Sequence, residues 1–273
     1  MRFVKHLLIP AGMAFVLMAC KKVNDLGIRP IGEAAVEVKI QECDIRNVSY
    51  SEGLKMTVAY EDRLPVEVQG IQFFNKLRYK QDNLNEIENT SDPSWKIDIE
   101  QDGRENITKM TFNGRDGAGR PLTQSYEMFY DSNDQLIKML LDLPVFWDIV
   151  ELMFEYNADG NVTKINRVEN NTSVTLLENL SFDEKNAPFV YQKQLGQLMS
   201  YLLATTVING DANYTYFLNQ NNVTRSIITK GTDKMELSAT YEYINEFPSK
   251  AQISKNYKDR LSSLTETYAY NCQ

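Results

Sequence analysis

Apolar and polar residues alternate along most of the chain from about residue 36 onward, and short polar clusters break the alternation at intervals. The stretches "EMFYDSNDQLIKM" (127–139) and "FEYNADGNVTKI" (154–165) show the unit: an aromatic residue, a polar turn, then an aliphatic residue. Related stretches lie at 77–87, 180–189, 215–227 and 240–253. A period of two places successive side chains on opposite faces, so the flanks read as strands and the polar clusters as turns.

Two copies are long enough to test register. A two-residue turn at Asn133-Asp134 sets Tyr130 opposite Ile137 and Met128 opposite Met139, with Tyr126 and Leu141 on the same face. A like turn at Asp159-Gly160 sets Tyr156 opposite Thr163 and Phe154 opposite Ile165, and pairs Glu155 with Lys164 on the other face. Cross-strand partners share a face, so both hairpins gather aromatic and aliphatic side chains on one side. Asp-Gly favours a type I′ turn; a bulged Ala-Asp-Gly loop would shift the register by one. The register that keeps Phe154 with Ile165 is preferred. Asn157, Asp159 and Asn161 also offer oxygens for a calcium loop, but no Glu follows at the spacing such a loop needs, and turn chemistry accounts for them without a metal.

One segment follows a different period. In "PFVYQKQLGQLMSYLLATTVING" (188–210) the residues Leu195, Leu198, Met199, Leu202 and Leu203 form one helical face, with Pro188 as a start and Gly210 as a stop. This helix is expected to plug an open face or end of the sheet. Val145 to Val150 read as a loop or short helix leading into a strand at 151–156, and Trp147 is either a core anchor or a candidate binding aromatic. The fold class is therefore mainly β: an antiparallel meander of repeated hairpins forming a large curved sheet, with one packed α-helix.

"YDSNDQLIKM" and "YNADGNVTKI" resemble the tyrosine-aspartate (YD, Rhs-like) repeat hairpin of lipoproteins of the Bacteroides group. The resemblance covers roughly residues 40 to 270 through short motifs. It implies a meandering antiparallel sheet and an exported location, and it supplies no catalytic residues.

The start of the chain has its own pattern. Arg2 and Lys5 precede a largely apolar run from Leu7 to Ala19, too short to cross a bilayer but suited to a signal peptide. The run ends in Leu17-Met18-Ala19-Cys20, which resembles the lipobox of bacterial lipoproteins; an ordinary secretory signal followed by a cysteine is the alternative. The resemblance implies cleavage before Cys20 and its lipidation, and attachment by more than one acyl chain is stable. Three parts follow: a signal peptide at 1–19, a flexible tether at 20–35 and a single β-rich domain at 36–273. Lys21-Lys22 stand where surface-exposed lipoproteins of this group often carry acids, so the periplasmic side of the outer membrane is favoured over the cell surface.

Composition narrows the chemistry. Removing Arg2 and Lys5 from 29 basic residues, against 37 acidic ones, moves the formal charge from −8 to −10. That balance argues against nucleic acid, which cationic side chains bind. The single histidine, His6, lies in the leader, so the body has no Ser-His-Asp or Cys-His machinery and no imidazole for a metal. No catalytic residues, metal ligands or cofactor are assigned. Carboxylate pairs at Glu61-Asp62, Asp142 with Asp148, and Asp183-Glu184 read as solvated turn or edge acids. The glycine-rich "NGRDGAGRP" (113–121) lacks the Lys-Ser/Thr of a phosphate loop and reads as a hairpin loop. Cys43 and Cys272 stand near the two ends of the body, as a candidate disulfide or as two buried thiols.

Three functions fit. The first is a non-enzymatic envelope lipoprotein, anchored through its lipid, that binds a glycan or an envelope protein through aromatic side chains. The second is a carboxylate-dependent enzyme acting on glycans, which a pair of acids converging in a cleft would favour. The third is a carrier of an apolar ligand, which a solidly packed interior would remove.

Overall fold

The computed structural model describes residues 42–51, 55–71, 74–144, 149–170 and 172–272, all within one compact unit, Gln41–Gln273. The leader, the tether with Cys20, and Trp147 lie outside the described residues. The first strands are β1 (Cys43–Tyr50), β2 (Lys55–Glu61), β3 (Leu64–Gln69), β4 (Lys76–Lys80), β5 (Asn83–Glu88) and β6 (Lys96–Gln101). Next come β7 (Ile107–Arg115), β8 (Pro121–Tyr130), β9 (Leu136–Asp142), β10 (Val150–Tyr156), β11 (Val162–Glu169) and β12 (Thr172–Asn186). The helix α1 (Lys193–Asn209) and a 3-10 turn (Thr215–Phe217) precede β13 (Asn221–Lys230), β14 (Asp233–Ile244), β15 (Phe247–Tyr257) and β16 (Arg260–Cys272).

Each strand pairs antiparallel with the next, and β1 pairs with β16, so the meander closes into a barrel. The sequence predicts a large curved sheet and leaves its closure undecided; in the structure the sheet closes on itself. The closing seam runs from Cys43 opposite Cys272 to Tyr50 opposite Glu266, and the two cysteines are joined at its start with S–S 2.04 Å. Closure leaves no unpaired strand edge.

The predicted register holds in the strands and fails at the turns. Phe154 faces Ile165, Glu155 faces Lys164, Met128 faces Met139 and Tyr126 faces Leu141. Tyr156, however, pairs with Val162 rather than Thr163, and Tyr130 with Leu136 rather than Ile137. The cause is a five-residue loop where a two-residue turn is expected. In Asp102–Asn106, Asp116–Arg120, Asp131–Gln135 and Asn157–Asn161, the first side-chain oxygen accepts the backbone N–H groups of the third and fifth residues, at 2.8–3.1 Å. The fourth residue has positive φ: Glu105 at 64°, Gly119 at 76°, Asp134 at 61° and Gly160 at 81°. None of these is a type I′ turn; at three of the loops a bulge absorbs the extra residue before the next pair, whereas β7 and β8 pair without a shift.

A carbonyl beside a bulge often finds a tyrosine on the neighbouring strand. Tyr130 Oη donates to Ile107 O at 2.9 Å, and Tyr156 Oη donates to Leu136 O at 3.1 Å. Tyr60, Tyr79 and Tyr241 make similar bonds to Ile45, Pro65 and Val223, each at 2.8 Å. The aromatic residue of the repeating unit thus ties neighbouring strands together as well as packing inside.

A barrel of this strand number would otherwise leave a water-filled channel. Here inward residues such as Ile97, Met110, Phe112, Met139, Leu152 and Ile165 are buried, and α1 fills the lumen. It leaves from the β12 end at which β13 begins and stops at Gly210 (φ 67°), beside Thr229 and Lys230 at the other end of β13. The predicted apolar face is real, but burial extends round the helix to Gln197, Ser200 and Tyr201. Tyr201 stacks on Phe74 with ring centroids 5.3 Å apart, and Gln197 bonds the Ile107 N–H (3.0 Å) and Asn106 Oδ1 (2.9 Å) on the wall. The helix begins at Lys193 rather than Pro188. It therefore occupies the interior instead of covering an open face.

The outer wall is charged. Lys109 pairs with Glu127 at 3.1 Å, Lys164 with Glu178 at 3.6 Å, and Lys250 with Glu242 at 2.7 Å, each across neighbouring strands. Such exposed pairs contribute little stability, about 0.2–1 kcal/mol each. Their value lies in what they exclude. A membrane-spanning barrel turns an apolar band to lipid, and Lys or Arg there costs about 2–4 kcal/mol at the bilayer midplane. Charged pairs of this kind stand on the outer wall, and the buried apolar side chains face inward.

Candidate functional site: a tyrosine-lined cavity in the lumen

Where α1 ends, the chain must return to β13 through the lumen, and its return segment does not fill the space it crosses. A cavity of about 170 Å³ remains between residues 211–216, the end of β1 and the inner faces of β13 to β16. The return segment is fixed by buried amides. Asn179 Nδ2 donates to Val162 O (2.7 Å) and Thr215 Oγ1 (3.1 Å), and Asn213 Nδ2 donates to Asn179 Oδ1 (2.7 Å) and Ser226 Oγ (3.0 Å). Val162 O is the bulge carbonyl of its hairpin, so Asn179 takes the role that tyrosine has elsewhere.

Aromatic side chains line the cavity: Tyr50, Tyr214, Tyr216, Tyr241 and Tyr268. Tyr50 and Tyr216 share a hydrogen bond at 2.8 Å, and Tyr216 meets Tyr268 edge-on with ring centroids 6.4 Å apart. Burial raises the phenols of Tyr50, Tyr241 and Tyr268 well above their ordinary values, so all three stay neutral. Their hydroxyls are engaged with protein partners.

Glu266 stands among these rings, 3 % exposed. It occupies the inward parity of β16 that Leu264 and Tyr268 share, and its strand neighbours are Tyr50 and Ala251. Tyr268 Oη donates to Glu266 Oε2 at 2.5 Å. Burial pushes its carboxyl up from 4.5 to about 7, against the lowering effects of the Tyr268 hydroxyl and the Lys255 ammonium. A buried carboxyl whose proton is held more tightly than usual, and which faces a cavity, is a candidate functional position.

The residues singled out from sequence lie elsewhere. Glu61 and Asp62 are exposed at the β2–β3 turn, and Asp142 is exposed at the end of β9; Asp148 lies outside the described residues. Asp183 accepts from the Tyr243 hydroxyl and from Asn222 Nδ2, and Glu184 is exposed. Residues 113–121 form the β7–β8 hairpin, with Arg120 Nη2 on Asp116 at 2.6 Å. Among the described residues no group of His, Cys, Asp and Glu could hold a metal ion. Glu266 was missed, although "LTETYAY" (264–270) carries the signal: an acid on the side of a strand that its tyrosines share.

No family model matches the chain, and no curated protein matches it. Among solved structures, a porin-like protein from Bacteroides uniformis is similar at TM-score 0.49 and 12% identity, over 86% of this chain and 94% of that one. A porin-like protein from Bacteroides vulgatus is similar at TM-score 0.47 and 13% identity, over 84% and 99%. Likeness at this level says nothing about what the chain binds.

Proposed function

We propose that the chain is a non-enzymatic envelope lipoprotein, tethered through Cys20, whose barrel binds a small glycan in the lumen. The observation that carries the reading is the cavity itself: tyrosine rings surrounding a buried Glu266. Aromatic faces pack against the C–H faces of sugar rings, while a carboxyl exchanges hydrogen bonds with their hydroxyls. The charged pairs on the outer wall support a barrel held beside a membrane by its lipid rather than one embedded in it. Calorimetric titration of the purified protein with mono- and disaccharides tests the reading. Binding that Glu266→Gln weakens supports it, and a blank panel removes it.

A second reading comes from the same cavity, since Asp211 also lines it. Two acids are the minimum for glycoside hydrolysis. Asp211, however, is held by Lys230 at 2.8 Å and stands near the end of α1, away from the seam where Glu266 lies. Turnover of aryl glycosides, lost in Glu266→Gln, would establish an enzyme; binding without turnover establishes the first reading.

A further inference from the structure

Several lysines of β13, β15 and the β15–β16 turn are paired. Lys230 meets Asp211 at 2.8 Å, Lys258 meets Asp233 at 2.7 Å, and Lys250 on β15 meets Glu242 at 2.7 Å. Lys255 differs. It lies on the inward side of β15 with Ala251 and Ile253, is half-buried and lines the cavity, yet it forms no ion pair or hydrogen bond among the described residues. Its opposite charge in the cavity is Glu266, which faces Ala251 four residues back along β15; the Lys255 ammonium acts on that carboxyl through its charge but forms no salt bridge with it.

A lysine that borders a partly closed, largely apolar space and has no salt-bridge partner is available to a bound anion. The cavity is therefore bipolar. A carboxyl that exchanges hydrogen bonds stands deep among the rings, and an unpaired cation stands along the wall toward the β15–β16 turn. Asp211, the other acid lining the cavity, is neutralised by Lys230.

Building on the glycan reading, we propose that the ligand is a carboxylated sugar, its hydroxyls toward Glu266 and its carboxylate on Lys255. A neutral sugar would satisfy the rings and Glu266 but leave the ammonium unpaired. An organic cation would satisfy Glu266 and the rings but meet Lys255 as a like charge.

The test is titration calorimetry of the purified protein with galacturonate and glucuronate against galactose and glucose, repeated with Lys255→Met. An acid should bind at least about tenfold more tightly than its neutral parent, the scale of one charge-assisted contact. Lys255→Met should abolish that preference while retaining neutral-sugar binding and a melting temperature no lower than the parent's. Equal affinity for acid and neutral sugar, or a preference that survives in Lys255→Met, overturns the inference and leaves the glycan reading standing. If no sugar of either kind binds, the glycan reading falls and the inference falls with it.

Discussion

Glu266 sets charge against burial. Its folded carboxyl titrates near 7 and the unfolded one near 4.5. Between those values the folded chain holds a proton that the unfolded chain has released, so stability falls as pH rises through the window and levels off above it. Glu266→Gln has no proton to lose. Its melting temperature should match the parent's near pH 4.5 and exceed it above pH 7, by up to about 3 kcal/mol at 1.36 kcal/mol per pH unit. Parallel pH–stability curves for the two proteins would show that the carboxyl is not buried as described. Asp131 poses the opposite case. Its side chain accepts the Asn133 and Gln135 N–H groups, so Asp131→Ala should lower stability by about 1–2 kcal/mol in denaturant titration, with no change in ligand affinity.

The hairpins and the helix show how far the elements can be read from sequence. Phe154 with Ile165 and Met128 with Met139 follow from alternation alone, because strand pairing and face are local properties. The bulges do not. A side chain that accepts two backbone N–H groups looks, in sequence, like any Asp or Asn in a two-residue turn. The helix likewise shows its apolar face in its spacing, whereas the burial of Gln197 and Ser200 depends on walls that distant strands supply. Gly196 records the closeness of that packing, since a Cβ there would lie 2.1 Å from Phe217 O on the return segment. Helix propensity alone would favour alanine by about 1 kcal/mol, but overpacking costs about 1–3 kcal/mol. Gly196→Ala should therefore lower the melting temperature, and a rise would show that α1 and the return segment are not in contact.

At the scale of the molecule, the sequence leaves closure open, because β1 and β16 alternate like strands inside any sheet and their pairing spans nearly the whole chain. The cysteines mark the seam only once the strands are paired. Their bridge spans 229 residues, and on chain-entropy grounds its loss costs about 4–5 kcal/mol. The Cys43→Ser, Cys272→Ser double variant should melt markedly lower than the parent, and unchanged melting would mean that the bridge does not form. The charged wall makes a separate prediction about the membrane. Cys20→Ser should leave the detergent phase for water in a phase-partition assay; a variant that stays with detergent would mean that lipid contacts the wall. The central claim is that a ligand sits inside the barrel among the tyrosines, and NMR of the tyrosine rings during sugar titration tests it most directly. The account predicts saturable shifts confined to Tyr50, Tyr214, Tyr216, Tyr241 and Tyr268; shifts scattered over other tyrosines, or none with any sugar, would contradict it.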